Sequence, residues 1–206
     1  SINCSYAHVT SGAIEGWSTT HAQMAGNCGY GTGRLIEIWR SGFNGVPSRS
    51  GSQHAELNAR QNSRIYQTVC LLEGDQIDWR FSHRGLSGTD VMDFRIGTAD
   101  RVVRASTSNA GVGNPSLCGS GAAISDATCT SVQTNTWSDY SGTFTWTGPT
   151  SLQQFGFAAV STSDGNPDTG NHIDDIQLRI DPLIEFAQSE TAYPESGEDS
   201  NLPKLR

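Results

Sequence analysis

The chain is almost without lysine. Of its 13 basic residues 12 are arginine, and the one lysine, Lys204, lies near the carboxyl end. The body therefore cannot form the Lys–Asn isopeptide crosslinks of many Gram-positive surface domains. A basic stripe is also missing, and the formal charge of −8 argues against nucleic acid, which needs cations along a phosphate backbone. No apolar run reaches the roughly 18 residues of a membrane-spanning helix, so membrane insertion is not expected. No CxxC pair is present, which disfavours zinc and thioredoxin-type redox chemistry. A GxSxG elbow, an HExxH helix and a Walker loop are absent as well. No stretch sustains the apolar period of a helix, and no internal repeat is visible.

What is present points to short strands. Glycine is abundant, at 23 of 206 residues, and Ser, Thr and Asn fill the gaps between apolar runs, a pattern of many strands joined by turns. From His54 to Ile96 the segments HAELNA, IYQTVCLL, DQIDWRFSH and DVMDFRI each alternate apolar and polar residues, separated by turn signals. That alternation predicts antiparallel strands with one face in a core, and the block is expected to form the central wall. Before it, RLIEIWR places Leu35, Glu37 and Trp39 on one face, either a core rim or a ligand platform. Ser41–Ser52 reads as a turn-rich loop. After it, YSGTFTW, QQFGFAAV and HIDDIQLRI complete an all-β, antiparallel jelly-roll β-sandwich of about nine or ten strands. We expect this domain to span 1–185, with a loop insertion at 107–136 and an acidic flexible tail at 186–206.

Five cysteines in such a chain favour an oxidising, extracellular setting. Cys118 and Cys129 bracket a loop of small residues and are expected to pair. Cys4 and Cys28 form the natural second pair, which leaves Cys70 as a buried small hydrophobe. The chain starts at Ser1 and reads as a processed product or an excised segment of a larger multidomain protein.

Parity also sorts the charges. His54 and Glu56 share a face with Asn58; Asp78, Arg80 and Ser82 share another; Asp93 and Arg95 a third. If these strands are neighbours they form a lattice of carboxylates and guanidiniums suited to paired sugar hydroxyls, with Trp39 stacking on a sugar ring and Arg84 at the adjoining loop. A solvated Asp/Arg ladder gives the same pattern with no ligand. His83 follows the Ile77, Trp79, Phe81 face and is expected as a buried, hydrogen-bonded imidazole.

The order IEIW, GFNGVP, GSQHAELNA, YQTVCLLEGD, SHRGLSGTDVMDFRIG, YSGTFTW and FGFAAVSTSDGNPDTGNHIDDI resembles a jelly-roll domain of large secreted and cell-surface bacterial proteins. That domain is akin to galactose-binding-like carbohydrate-binding modules. The resemblance covers most of 12–180 and implies an extracellular binding module without a particular ligand; the leading expectation is that it recognises a glycan or a glycosylated surface. The resemblance also implies a structural calcium, with Asp174 the first candidate ligand and Glu56 the second. Parity places Asp174 on the face of Ile176 and Leu178, where a carboxylate needs a cation or donors; capping of loop amides is the alternative. A protein-binding adhesin domain is the competing function. A jelly-roll polysaccharide lyase or hydrolase is a lesser one, because the ExDxxE strand of jelly-roll glucanases and the QIH strand of alginate lyases are both missing.

Overall fold

A computed structural model describes residues 2–97, 101–115 and 128–183, except the side chains of Arg101 and Val102. The expected tail and the Cys118–Cys129 pairing lie outside these residues, although Cys129 itself is disulfide-bonded.

The described chain is an all-β antiparallel sandwich, compatible with a jelly roll. An eight-stranded sheet contains β1 (Tyr6–Thr10), β4 (Thr32–Arg40), β5 (Gln53–Glu56), β14 (His172–Asp181), β7 (Gln76–Arg84), β12 (Trp137–Thr145) and β11 (Thr130–Thr134) in that order, with β3 (Gln23–Ala25) paired to β4. The facing six-stranded sheet runs β10 (Gly113–Asn114), β9 (Arg101–Thr107), β8 (Val91–Ile96), β13 (Ser151–Ser161), β6 (Arg64–Leu71) and β2 (Ser18–Thr19). Among the described residues there are fourteen strands, more than the expected nine or ten, because β2, β3 and β10 are two or three residues long and β11 lies in the expected insertion. Segments so short carry no alternation to read.

The His54–Ile96 block is divided between the sheets rather than forming one wall. β5 and β7 lie in the first sheet, β6 and β8 in the second. Each strand still alternates, so the inward residues of all four meet in one core. Phe81 is its centre, with ring centroids 5.0 Å from Tyr140, 5.3 Å from Phe157 and 5.5 Å from Phe94. The expected insertion contributes an edge strand to each sheet, β10 and β11.

Two expectations fail for local reasons. Cys70 is exposed: its neighbours Val69 and Leu71 turn inward on β6, and alternation sends the thiol out. The parity assigned to Asp174 is broken by a bulge. Pairing between β14 and β7 shifts register between Asp174 and Gln177, and Asp175 sits at φ 50°. The extra residue reverses the phase. Asp174 then lies opposite Ser82 on the outer face, whereas Leu178 lies opposite Trp79 on the inner one.

The Cys4–Cys28 disulfide forms as expected, tying the entry to β1 to the β3–β4 connection, and such a bond persists in oxidising compartments. Among the described residues no helix is long and apolar enough to cross a membrane.

Candidate functional site

The outer face of the larger sheet carries a second, polar core. Cross-strand register aligns Tyr6 with Trp39 and then His54, and His8 with Glu37, Glu56, His172 and Arg84. His8, Glu37, His54, Glu56, Arg84 and His172 are all buried. Burial on an outer face requires a cover, and the 41–52 loop supplies it. Gly42 and Gly45 hold φ of 89° and 75°, a left-handed conformation that glycine adopts without strain, so the loop folds tightly and brings the Gly42 N–H to Val46 O at 2.8 Å. The loop is then pinned from below. The Trp137 indole N–H donates to Pro47 O at 3.0 Å, Ser48 Oγ meets His54 Nδ1 at 3.1 Å, and the Arg49 guanidinium grips Asp139 at 2.9 Å.

Beneath this roof the rings pack edge to face, with Trp39–His172 at 4.6 Å, His54–His172 at 5.1 Å and His54–Trp137 at 5.6 Å. Burial, helped by the Arg84 charge, lowers the His54 pKa to about 4. Burial drives His172 well below its usual range, with His54, Arg84 and His83 adding to the effect. His83, on the inner face of β7, is buried as expected. Its Nε2 is 2.9 Å from Asn171 Oδ1, and burial lowers it to about 4 against that bond.

Where the roof ends, a pocket of about 380 Å³ opens, walled by Tyr6, Trp39 and Phe43 and floored by His8, Glu37 and Glu56. Tyr6 and Phe43 stack at 5.3 Å, and Trp39 meets Phe43 edge-on at 4.7 Å. Glu37 Oε1 accepts from the Trp39 indole at 2.8 Å, and Oε2 lies 3.0 Å from His8 Nε2. That imidazole nitrogen also approaches Ala59 O at 3.2 Å. A carbonyl only accepts, so Nε2 carries the hydrogen. Glu56 Oε1 accepts the Gly170 N–H at 2.7 Å, while Oε2 is buried with no hydrogen-bond partner. Burial first and the Glu37 charge second raise the Glu56 carboxyl well above its usual pKa. The Gly170 and Trp39 N–H groups oppose that rise, and Asp90 adds to it.

No protein-family model matches the chain, and no curated protein sequence matches it. Function has to be read from the site itself.

Of the candidate ligand-binding residues, Trp39 and Glu56 meet in this pocket. His54 and Arg84 lie on the same face but under the roof, where the Arg84 guanidinium donates to Gly85 O at 3.0 Å and Thr136 Oγ1 at 2.9 Å. Asp78 and Arg80 line a separate polar depression with Gln177 and Arg179, and Arg80 pairs with Asp175 at 3.1 Å. Asp93 and Arg95 are on the other sheet. There Asp93 is buried between Arg95 and Arg104, each at 2.9 Å, so no single lattice joins these charges. Tyr6, His8, Phe43 and Arg60 escape the sequence reading, whereas Glu37 shares with Trp39 the face read as a core rim or a ligand platform.

The two calcium candidates have separate partners. Asp174 Oδ2 accepts the N–H groups of Arg49 at 2.8 Å and Ser50 at 3.0 Å, and Oδ1 accepts that of Asp175 at 2.7 Å. Its carboxylate caps the roof loop. Among the described residues no group of three or more His, Cys, Asp or Glu is placed to hold a metal. Asp174→Ala should therefore cost about 1–3 kcal/mol by orphaning those amides, and the fall in melting temperature should be the same in calcium and in chelator. A fall confined to calcium would restore the metal role.

Proposed function

We propose that this domain is an extracellular, non-catalytic module that binds a glycan in the pocket of Tyr6, Trp39 and Phe43. The observation that carries the reading is an aromatic wall standing over hydrogen-bonding carboxyls. The apolar face of a pyranose stacks on aromatic rings while its hydroxyls donate to carboxyl oxygens, and few soluble ligands combine the two surfaces. The floor sits on the paired strands β1, β4 and β5, so little ordering accompanies binding. Both Glu37 oxygens are already engaged by Trp39 and His8, an arrangement for holding a ligand rather than attacking one. The disulfide supports an extracellular location.

A glycan array, followed by titration of its best ligand, tests this. Tyr6 is 36% exposed, so Tyr6→Ala should leave the fold intact and weaken binding about tenfold or more, a loss typical of an anchoring aromatic. Gln177→Ala, in the separate polar depression, should change nothing. A blank array would overturn the proposal, as would a ligand sensitive to Gln177→Ala and indifferent to Tyr6→Ala.

A further inference from the structure

The floor of the pocket is chemically incomplete at one atom. Glu37 and Glu56 are register partners on adjacent strands, 4% and 1% exposed, respectively, and both line the pocket. Glu37 has a donor on each oxygen. Glu56 has one, from Gly170, and its Oε2 has none. A buried carboxyl oxygen without a donor is costly, and either a proton or a ligand donor relieves it. Two carboxyls packed this closely also resist carrying two charges unless a cation joins them. The walls favour the same partner, because the faces of Tyr6, Trp39 and Phe43 attract a cation that carries C–H surface.

We propose that the pocket's ligand is a cationic amino sugar, a glycan residue with a free ammonium. The ammonium would lie against Glu56 and Glu37, and the ring against the aromatic wall. This rests on the glycan-binding reading and names the sugar chemistry within it. The charged and titratable groups facing Glu56 are His8, Glu37, Arg60, Asp90, Asp168 and His172. His172 is held neutral by burial and adds no charge. Arg60, whose Nη2 lies 3.4 Å from His8 Nδ1, opposes a cation. Asp168 at the rim and buried Asp90 favour one. Burial and the neighbouring Glu37 favour the protonated form of Glu56 in the empty pocket. When the ammonium binds, that O–H ionises, the carboxylate pairs with the ammonium, and the proton leaves to solvent.

The test is calorimetric titration of the full chain at about pH 6, where a sugar amine is charged, in two buffers of different ionisation heat. The probes are glucosamine oligomers, their N-acetylated counterparts, glucose oligomers and a simple alkylammonium salt. The free-amine oligomer should bind about tenfold or more tighter than the acetylated one, releasing close to one proton per site. Glu56→Gln should remove that preference and the proton release, while Tyr6→Ala should weaken every sugar. Equal or tighter binding of the acetylated oligomer, or no proton release, overturns the inference. If those neutral sugars still depend on Tyr6, the glycan reading stands without it. An alkylammonium that binds as tightly as the amino sugar removes the sugar from both statements. If none of these sugars binds, the amino-sugar assignment falls, and the glycan array alone decides the broader reading.

Discussion

Lowering the pH from about 6.5 towards 4 should destabilise the protein by on the order of 3 kcal/mol for each of two buried imidazoles, His54 and His83, with His172 adding in the same sense, before any offset. His54 and His83 are lowered to about 4 and His172 further, burial being the first cause for each. The fold holds all three neutral, while the unfolded chain protonates them below about 6.5. In that window the unfolded state binds more protons, so stability rises with pH through it and levels off above. Glu56, Asp90 and Asp174 act in the opposite sense. Burial raises each of them, so the native state holds their protons to higher pH than the unfolded chain does. Their contribution is present in acid and fades as pH rises through the folded-state values. Three strongly lowered imidazoles outweigh one strongly raised carboxyl and two moderately raised ones, and the net effect is loss in acid. Urea unfolding at pH 7, 6, 5 and 4.5 measures it. His54→Gln should flatten the slope by close to one proton. Stability that stays constant or grows between pH 7 and 4.5 would refute the assignment of these rings as neutral and buried.

Of those three histidines only His83 announces this role in the sequence, and the reason generalises to the whole site. Alternation reports which side of a strand a residue occupies, and on β7 it puts Ile77, Trp79 and Phe81 on one face, which is the buried one. It cannot report which strands become neighbours, so Asp93 and Arg95 seem to belong beside Asp78 and Arg80 although they lie on opposite sheets. Nor can it report that an outer face is roofed. A polar residue on the outer side of β5 reads as solvated, yet Glu56 is 1% exposed and His54 4% exposed, His54 beneath the 41–52 loop and Glu56 against Gly170. A bulge is equally silent: nothing in HIDDIQLRI shows that the phase reverses between Asp174 and Gln177. The pairing of Cys4 with Cys28 was legible as the pair that ties the amino-terminal strand down once Cys118 and Cys129 are matched across their loop. His8 was not, because a lone histidine in a short strand becomes informative only when Glu37 is found beside it.

Replacing Phe81 with alanine should cost about 3–5 kcal/mol, the range for removing a fully buried aromatic ring, which is a large fraction of the roughly 5–15 kcal/mol that holds a domain together. Phe81 is 1% exposed and is the ring through which the two sheets meet. It stacks on Trp79 and Tyr140 of its own sheet at 5.9 and 5.0 Å and contacts Phe94 and Phe157 of the other at 5.5 and 5.3 Å. Four rings cannot all move into the space it leaves, so the cavity term is only partly recovered by relaxation. Phe155 offers the comparison. It is 4% exposed and its ring partner is Trp17, at 5.9 Å near the margin of the core, so Phe155→Ala should cost less. Urea unfolding of the two variants decides the order, and a Phe81→Ala loss below about 1 kcal/mol, or one smaller than that of Phe155→Ala, would contradict the placement of the core centre. The same variant separates the two cores. β14 lies between β7, which carries Phe81, and β5, which carries Glu56, and the pocket walls rest on β1, β4 and the roof loop. At a temperature where Phe81→Ala is still folded, its glycan affinity should therefore match that of the parent protein, because the inter-sheet rings hold the sandwich together while the outer-face pocket is set by the strands and loop on its other side.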